Sequence, residues 1–360
     1  MALRWAVAAT CAIAALALAL ASAQPAIAVP REFYGIVPQQ SLTGKDIQRM
    51  GRGNVGTVRV QLFWPALESG DSFNWAPLDD TIGGLAAEGI RPFANLFGVP
   101  STVSGNHLSL PVGSAHDQRE WREFVTEAAT RYGPDGTYWQ SVYPSQHPGA
   151  PPAPIEDWQV WNEQNAPKHT HPKPSPRKYG KLLKSTRSAL DKVDPGAEIV
   201  LGGMFGFPRG QGAIEAWSFM RSLYKVSGVR SAFDSVAVHP YSPGLRGIKD
   251  QLNRTRSVMR RKGDSQAGTW ITEIGWGSSG RGHLDKSRSG QAKLLKSSFR
   301  LLKRRRGRWN IAGVMWYAWR DLDRASSPCD WCRTAGLFPR NGFNAKPAWR
   351  TLTRITGGKP

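Results

Sequence analysis

Residues 157–165 read DWQVWNEQN, a short apolar and aromatic run that ends in a carboxylate. Trp158, Val160 and Trp161 have the bulk of a buried strand, and no helical periodicity runs through them. Glu163 falls where this strand is expected to end, because polar residues and a proline follow it. The pattern predicts a buried strand that presents a glutamate at its carboxyl end.

A second stretch of the chain has the same form. Residues 269–276 read TWITEIGW, with Glu273 near the end of an apolar run and glycines closing it. Glu163 and Glu273 lie far apart in the sequence, so only a chain that folds back through several units can bring them together. Two strand-end carboxylates in one pocket are the arrangement that hydrolysis of a glycosidic bond requires.

Strands and helices alternate along the chain after residue 30. We predict strands at 32–38, 56–64, 90–100, 157–163, 198–205, 233–241, 269–276 and 311–319. We predict helices at 42–51, 77–88, 117–132, 175–192, 213–226, 247–262, 284–306 and 346–355, with Thr43 and Ser175 as N-caps. The strands are apolar without strict alternation, as in parallel strands that are covered on both faces.

Eight such units favour a single (β/α)8 barrel of the α/β class, and 360 residues suit one. An open doubly wound sheet is the competing fold. That fold usually has a glycine-rich phosphate loop after its first strand, and VPQQSLTGKD at 37–46 is not one. The long segment 133–156 precedes a strand, so we expect it at the end of the barrel opposite the site.

The first 28 residues have the features of a secretory signal peptide. Arg4 gives a positive start, residues 5–21 are rich in alanine and leucine, and A-x-A-like cleavage sites end at Ala23 and Ala28. We therefore expect an exported protein, secreted or associated with the cell envelope, with its barrel in residues 29–360. An uncleaved N-terminal anchor is the alternative. We expect no further membrane span.

The three cysteines fit an exported protein. Cys11 lies in the signal segment, whereas Cys329 and Cys332 form a lone C-x-x-C within SSPCDWCRTAG. In an exported protein this spacing predicts a short-loop disulfide. A thioredoxin-type motif needs a strand before it and a helix after it, and a zinc site needs two further ligands, and neither pattern is evident. We expect no metal and no organic cofactor.

The formal net charge is +21, and the densest basic run is KRRRGR at 303–308. No nucleic-acid-binding motif accompanies this run and the chain has an export signal, so we expect no nucleic-acid partner. Attraction to an anionic cell envelope or to an acidic polysaccharide is the functional interpretation of the charge. A solvated helix end is the simpler one.

Several unusual residues are expected at the carboxyl ends of the predicted strands, where a (β/α)8 barrel carries its site. Asn162 and Glu163 end strand four, His239 and Tyr241 end strand six, Glu273 lies on strand seven, and strand eight carries a tryptophan. In this combination the chain resembles the clan A glycoside hydrolases, the retaining (β/α)8 group, over nearly all of its mature length. Within the clan it most resembles family 39, including bacterial enzymes that cleave exopolysaccharides, with the cellulase-like family 5 as a neighbour.

The resemblance implies that Glu163 is the general acid/base and Glu273 the nucleophile of a double displacement through a glycosyl–enzyme ester. Retention of configuration needs the two carboxyl groups about 5–5.5 Å apart. Glu163 must be protonated, so we expect burial and the neighbouring charge to raise its pKa. Glu273 must stay ionised, and Arg59 and Tyr241 are its candidate donors.

Substrate-binding residues follow from the same resemblance. Asn162 would bind the sugar 2-hydroxyl, Trp316 would stack under the reacting sugar, and Trp276 would flank it. His239 fits a substrate contact and a satisfied core histidine equally well, and either tryptophan is equally well a core residue. A core carboxylate paired with Arg59 is the alternative for each glutamate.

The loops after strands four, seven and eight are expected to shape the substrate site. His169 and His171 lie in the first of these loops, and we interpret them as residues near the sugar rather than metal ligands. We also expect some basic loop residues to contact an acidic or uronate-bearing glycan. The candidates are Lys168, Lys173, Arg281, Arg320, Arg324 and Arg333.

The sequence therefore predicts an exported retaining O-glycoside hydrolase that acts as a monomer on a poly- or oligosaccharide. A transglycosidase differs only in the molecule that accepts the sugar, so the residues do not separate the two enzymes. A catalytically silent, basic barrel that binds envelope glycans is the alternative from another class. The presence of both glutamates argues against it.

Overall fold

A computed structural model of the chain describes residues 29–70 and 72–360. The predicted signal peptide at 1–28, with Cys11, lies outside the described residues. Arg31–Pro360 packs as one unit. Among the described residues, every helix is too short or too polar to cross a bilayer.

Eight strands of the described chain form a closed parallel ring. They are β1 (Tyr34–Val37), β2 (Thr57–Phe63), β3 (Arg91–Phe97), β4 (Asp157–Val160), β5 (Glu198–Leu201), β6 (Ser235–His239), β7 (Gly268–Ile274) and β8 (Ile311–Tyr317). Each strand pairs with the next, and β8 pairs back onto β1. The closed ring confirms the predicted (β/α)8 barrel and excludes the open doubly wound sheet.

A helix follows each strand, as the alternating pattern predicts. The helices are α1 (Gly44–Arg52), α2 (Ala76–Ala87), α3 (Ala115–Tyr132), α4 (Pro176–Leu190), α5 (Ala216–Leu223), α6 (Leu245–Arg261), α7 (Arg288–Arg304) and α8 (Pro347–Thr356). Thr43 forms a capping box at α1, and the Ser175 side chain accepts a hydrogen bond from the first turn of α4. Both predicted N-caps are thus confirmed, and each such cap is worth about 1 kcal/mol.

Several loops contain short elements of their own. Glu68–Ser69 and Ser72–Phe73 form a small antiparallel hairpin after β2, and Met204–Phe205 adds a short strand beside β6. Strand β4 ends at Val160, three residues before the predicted end, so Glu163 lies in the loop that follows it. The glutamate is therefore held by loop backbone rather than by the sheet.

The segment 133–156 differs from the loop that its composition predicts. It contains two helical turns, Tyr138–Val142 and Tyr143–Gln146. The Tyr138 hydroxyl donates to the backbone carbonyl of Asp79 on α2 at 2.9 Å. Because the segment leads into β4, it lies at the amino-terminal end of the barrel, opposite the carboxyl ends of the strands, as expected.

Alternate residues of β8 face the barrel interior, because side chains alternate along a strand. Tyr317 belongs to an interior cluster that also holds Trp270 of β7. A Cβ at Gly313 would overlap the Trp270 ring, so Gly313 shares this inner face. Trp316 therefore points outward, where its ring lies 6.4 Å from that of Phe299 on α7.

The basic run at 303–308 lies at the far end of the barrel from the strand-end loops. It spans the last residues of α7 and the turn Arg306–Trp309, just before β8 begins. Most of its residues are exposed. Basic side chains at a helix carboxyl end are favoured by the helix dipole. The run is therefore a solvated helix end and does not line the strand-end site.

Candidate active site

Two carboxylates meet at the carboxyl ends of the strands. Glu163 follows β4 and Glu273 lies near the end of β7, while His239 ends β6. One oxygen of each carboxylate and one ring nitrogen of His239 lie within 4.8 Å of one another. The fold thus brings together three residues that the sequence predicts for one site.

Glu273 is held by the two donors that the sequence predicts for it. Arg59 on β2 donates from Nη2 to Oε1 at 2.6 Å, and the Tyr241 hydroxyl donates to Oε2 at 2.7 Å. Arg59 pairs with Glu273 and not with Glu163, so one of the two core alternatives is wrong. An arginine guanidinium keeps its positive charge at every pH at which proteins stay folded. Arg59 therefore places a permanent cation beside Glu273.

Tyr241 keeps its proton throughout the working range of proteins. Burial and the adjacent charge of Glu273 raise its pKa well above the usual value of a phenol. The hydroxyl is therefore a constant hydrogen-bond donor to Glu273.

An irregularity in β7 aims two neighbouring side chains at the site. Ile271 pairs with Val314 and Ile274 pairs with Trp316, so β7 contains one extra residue opposite β8. Such a bulge re-aims the side chains beside it. Thr272 and Glu273 both reach the site as a result, although regular alternation would place one of them outside.

Both oxygens of the Glu163 carboxylate face an imidazole. His239 Nδ1 lies 2.8 Å from Oε1, and His169 Nε2 lies 3.1 Å from Oε2. Trp161 and Glu163 have φ angles of 71° and 45°, in the left-handed region that non-glycine residues rarely adopt. Each such residue costs about 1–3 kcal/mol, and strain of this kind clusters at functional sites. The irregular backbone is what turns Glu163 toward the two histidines.

His239 is completely buried and its ring is held on both sides. Its Nε2 faces the Thr272 hydroxyl at 3.1 Å and Arg59 Nη1 at 3.5 Å. Because Arg59 carries only donors, Nε2 accepts and the proton on Nδ1 points to Glu163. A Cβ at Gly203 would overlap this ring, so glycine is required there. His239 is thus a satisfied buried histidine that also contacts the candidate acid/base.

The expected direction of the Glu163 pKa is wrong. Burial does raise it, but the hydrogen bonds and the electrostatic effects of His169 and His239 outweigh burial, and the pKa is lowered. The prediction considered the neighbouring carboxylate and omitted the loop histidine. In this arrangement Glu163 is an ionised carboxylate, and the proton that an acid needs lies on its neighbours.

Two polar atoms in the site have no hydrogen-bond partner among the described residues. They are the Asn162 side-chain oxygen and the Tyr317 hydroxyl. Buried polar atoms are nearly always paired, so each such atom calls for an explanation. Asn162 is half-buried next to Glu163, as the sequence predicts. Tyr317 was not predicted, although it shares the inner face of β8 with the interior cluster.

The two tryptophans predicted as sugar platforms are not available to a sugar. Trp276 and Trp316 are fully buried, and their rings pack against each other at 6.0 Å. Their indole N–H groups donate to the backbone carbonyls of Ser242 and Ala335. The prediction is wrong for both residues, because Trp316 lies on the outer face of β8 and Trp276 packs beside it.

Trp331 is the aromatic residue that the sequence analysis missed. It is half-buried in the loop after β8, and its ring meets those of Tyr241 at 4.8 Å and Tyr317 at 5.6 Å. Cys329 and Cys332 on either side of it form the predicted disulfide. A tryptophan enclosed by a predicted disulfide in a strand-end loop was the available signal.

Lys346 ties the loops around the site together. Its ammonium donates to Asp321 at 2.5 Å, to the Ser278 hydroxyl at 2.9 Å and to the Thr334 carbonyl at 3.1 Å. Burial lowers the pKa of this lysine, although the Asp321 carboxylate opposes the effect. The loops after β7 and β8 are therefore joined through this lysine.

The basic loop residues divide into two groups. Arg320 is buried, donates to Asp46 of α1 at 2.6 Å and stacks on Phe343, so it is structural and does not contact a glycan as predicted. The other five candidates have exposed side chains. They are Lys168, Lys173, Arg281, Arg324 and Arg333.

The cluster of Glu163, His239 and Glu273 also has the composition of a metal site. Both oxygens of Glu273 already accept hydrogen bonds, one of them from a permanent cation. A metal ion at this point would have to displace donors and sit beside a guanidinium. The donor set fits acid–base chemistry better than metal binding.

No protein-family model and no curated protein matches the sequence. The fold, however, is shared with solved glycoside hydrolases. A family 39 glycoside hydrolase from Bacteroides cellulosilyticus WH2 superposes with a TM-score of 0.67 at 18% identity, over 91% of this chain and 65% of that chain. A monomeric beta-xylosidase from Caulobacter crescentus CB15 gives 0.65 at 18%, over 92% and 69%.

A GH5_18 protein from Bifidobacterium longum subsp. infantis gives a TM-score of 0.62 at 15% identity, over 90% of this chain and 78% of that chain. The barrel is thus similar to those of the two families that the sequence resembles. The chain spans only 65% of the length of the Bacteroides protein. The superpositions establish the fold, but at identities this low the activity has to be argued from the site.

Proposed function

We propose that this chain is an exported retaining O-glycoside hydrolase. The observation that carries the proposal is the pair of carboxylates after β4 and on β7, with oxygens within 4.8 Å. Retaining glycosidases place their carboxyl groups about 5–5.5 Å apart, whereas inverting ones leave about 6.5–9.5 Å for a water molecule. The short separation supports direct attack by one carboxylate.

The surroundings of the two glutamates support different roles. Glu273 lies near the end of a strand and accepts hydrogen bonds from Arg59 and Tyr241, so it suits the nucleophile. The same two donors would stabilise the carboxylate when it leaves the anomeric carbon in the second step. Glu163 faces two imidazoles, and the more exposed of them, His169, can exchange a proton with water, so Glu163 suits the general acid/base.

Unpaired polar atoms and one aromatic ring support sugar binding beside this pair. A sugar hydroxyl could donate to the Asn162 oxygen and another could accept from the Tyr317 hydroxyl, which would satisfy both atoms. The half-buried Trp331 ring offers an apolar wall against Tyr241. Aromatic faces of this kind pack well on the C–H face of a sugar.

An acidic or uronate-bearing glycan is the substrate class that the charge favours. The net charge is +21, and five exposed basic residues lie in the loops after β4, β7 and β8. Such a surface attracts polyanions from solution, and salt screens the attraction. We expect KM for a uronate-bearing glycan to rise with ionic strength, and KM for a neutral glycan to stay constant. A preference for uncharged glycan that ignores salt contradicts this part of the proposal.

Export rests on the signal-like residues 1–28 and is supported by the disulfide, since disulfides persist outside the reducing cytosol. Expression of the full chain in a bacterial host, followed by fractionation and N-terminal sequencing, tests it. We expect the mature protein outside the cytoplasm, beginning at Gln24 or Val29. An intact N-terminus in the membrane fraction indicates an uncleaved anchor.

The deciding experiment is release of sugar from neutral and uronate-bearing polysaccharides and from 4-nitrophenyl glycosides. The mature protein is compared with Glu273→Gln and with the control Glu156→Gln. Glu156 also pairs with an arginine, Arg91, but it precedes β4 at the opposite end of the barrel. We expect release by the mature protein and by the control, and none by Glu273→Gln.

The product distribution separates the remaining alternatives. Free sugar indicates hydrolysis, whereas new oligosaccharides at low substrate concentration indicate a transglycosidase. Retained activity in Glu273→Gln shows that the nucleophile is another residue. Binding of glycans without release by either protein indicates a silent barrel.

A further inference from the structure

The loop after β4 holds a second histidine against Glu163. His169 Nε2 lies 3.1 Å from Oε2 of that carboxylate. At this separation a protonated Nε2 forms an ion pair with the carboxylate, whereas a lone pair on Nε2 would be repelled by it, so the contact favours a proton on Nε2. His169 therefore contributes a proton on the Oε2 side of Glu163, while His239 occupies the Oε1 side.

The two histidines differ in what surrounds them. His239 is fully buried, and its other nitrogen is occupied by Thr272 and Arg59, so its neutral form satisfies every partner. The His169 side chain is 30% exposed. It can exchange a proton with water, whereas the His239 ring is sealed in the barrel.

The backbone of the loop sets the position of His169. The His169 amide donates to the carbonyl of Ala166 at 3.0 Å, and its own carbonyl accepts from Trp161 Nε1 at 2.7 Å. Trp161 is fully buried, which anchors the loop to the barrel. The ring of His169 is thus held at Glu163 by contacts that do not involve the ring itself.

The charges around His169 favour its protonated form. Burial lowers its pKa, but the hydrogen bond to Glu163 and the charges of Glu163 and Glu273 outweigh burial and the opposing charge of Lys168, so the pKa is raised. The imidazolium is therefore kept to a higher pH than usual and is lost only as the pH rises through the raised pKa. The charged groups that act on this ring are Glu163, Glu273 and Lys168. His239 contacts Glu163 on its other side, and Arg59 and Tyr241 contact Glu273.

We propose that His169 is a positioning residue that shares one proton with Glu163, so that the pair, rather than Glu163 alone, is the acid/base of the site. The inference rests on the proposed glycosidase function and names a residue that the family resemblance does not supply. It also resolves how an ionised Glu163 acts as an acid. The single proton resides on His169 at rest and moves onto Glu163 when the leaving oxygen needs it.

The proton and the bonds balance in each half of the reaction. In the first half, Glu273 forms a bond to the anomeric carbon and the glycosidic C–O bond breaks. The leaving oxygen takes the proton from Glu163, which takes it from His169 Nε2, so His169 ends neutral. In the second half, water attacks the anomeric carbon and the ester bond to Glu273 breaks. The proton released by water passes to Glu163 and restores the imidazolium.

The resting protein tests the shared proton without any substrate. NMR of 15N-histidine-labelled mature protein follows the ring nitrogens with pH, and His169→Gln identifies the His169 signals among the seven histidines. We expect His169 to hold its proton to higher pH in the wild type than in Glu163→Gln, because the variant lacks the Glu163 charge that raises the His169 pKa. His116, which is exposed in the first turn of α3 and faces Glu120, is the internal reference. Equal titration of His169 in the two proteins overturns the proposal.

The pH profile of kcat/KM tests the use of this proton in catalysis. His169→Gln can still donate a hydrogen bond to Glu163, but it cannot hold the proton. A lone carboxyl loses its proton at lower pH than an imidazole, so the alkaline limb should move down by more than about one pH unit. The loss of kcat/KM in His169→Gln should also depend on the leaving group. Release of 2,4-dinitrophenol needs no acid, so kcat/KM for that substrate should stay within about twofold of wild type.

Failure of the proposed glycosidase function and failure of the shared-proton proposal give different results. A wild-type protein that releases no sugar removes the proposed function and leaves the NMR result standing. If His169→Gln is active and the alkaline limb of its kcat/KM profile does not move, the pair has no catalytic role, and the glycosidase function is unaffected. A fall in activity without a shift of the limb assigns His169 a purely structural role.

Discussion

Glu163 and Glu273 are the same type of residue in the same site, but their surroundings are opposite in kind. Glu273 lies near the end of β7, and its two donors are a guanidinium and a phenol whose pKa is raised. Glu163 lies in a loop at a left-handed φ of 45°, and its two neighbours are imidazoles. Glu273 is held by two groups that keep their charge near neutral pH, whereas one neighbour of Glu163, the half-buried His169, can gain and lose a proton.

This difference assigns the two halves of the chemistry. A nucleophile must be ionised at the start of every cycle, and the permanent cation at Arg59 favours that state. An acid/base must gain and lose a proton in every cycle, and imidazoles near neutral pH make this possible. The rigid strand carries the constant charge, while the irregular loop carries the exchanging proton.

The largest expected effect comes from removing the Glu273 carboxylate, whose surroundings keep a constant charge. Glu273→Gln keeps the size of the side chain and its contact with Tyr241 but cannot form the ester. We expect kcat/KM to fall by more than about 10⁴-fold on every substrate, whatever its leaving group. Steady-state assays with 4-nitrophenyl glycosides and with the polysaccharide that the wild type cleaves measure this fall in kcat/KM. A fall that depends on the leaving group contradicts the assignment.

Removing the exchanging proton should give a different pattern. In Glu163→Gln we expect kcat/KM to fall by about 10²–10⁴-fold when the leaving group is a sugar alcohol. With 2,4-dinitrophenol as leaving group no acid is needed, and kcat/KM should stay close to that of the wild type. Paired assays on the two substrates measure the contrast. An equal loss on both would show that Glu163 does more than supply a proton.

A smaller effect is expected when one donor to Glu273 is lost. Tyr241→Phe keeps the ring against Trp331 and removes a hydrogen bond to a charged group, worth about 1.5–3 kcal/mol. We expect kcat to fall by about 10- to 100-fold, with the pH profile unmoved. Tyr224→Phe is the matched control, because its hydroxyl also donates to a carboxylate, Asp264, far from the site. Equal losses in the two variants point to stability rather than catalysis.

The smallest effect is expected at the wall formed by Trp331. Trp331→Ala removes an aromatic surface worth about 0.5–1.5 kcal/mol, so we expect KM to rise by about two- to tenfold with little change in kcat. Trp331→Phe keeps a ring in place and should recover most of the loss. Binding isotherms with the inactive Glu273→Gln background measure the affinity directly. An unchanged affinity removes Trp331 from the sugar site.

The barrel and the Glu273 half of the site could be predicted from the sequence. The strands of a barrel share one interior and one carboxyl end, so placing Tyr241 and Glu273 at strand ends and Arg59 within a strand was enough to bring them together. The repeated strand–helix pattern supplied those ends to within a few residues. The contacts of Arg59 and Tyr241 with Glu273 are confirmed because they follow from the fold itself.

The Glu163 half could not be predicted in the same way. The loop brings His169 to Glu163 with Trp161 and Glu163 at left-handed backbone angles. No sequence pattern predicts such angles for tryptophan or glutamate. The direction of the Glu163 pKa was wrong for this reason. The error at Trp316 has another cause, since the alternation of β8 places Tyr317 inside and Trp316 outside. Gly313, whose missing Cβ makes room for Trp270, was the signal for that alternation.

The assignment of the two carboxylates is tested most directly by azide rescue of Glu273→Ala and Glu163→Ala on a 2,4-dinitrophenyl glycoside. Azide in the space left by Glu273 attacks the anomeric carbon directly, so the glycosyl azide should have inverted configuration. Azide in the space left by Glu163 attacks the ester on Glu273, so the product should have retained configuration. NMR of the two products reads the configuration. The same anomer from both variants, or the reverse pair, contradicts the account.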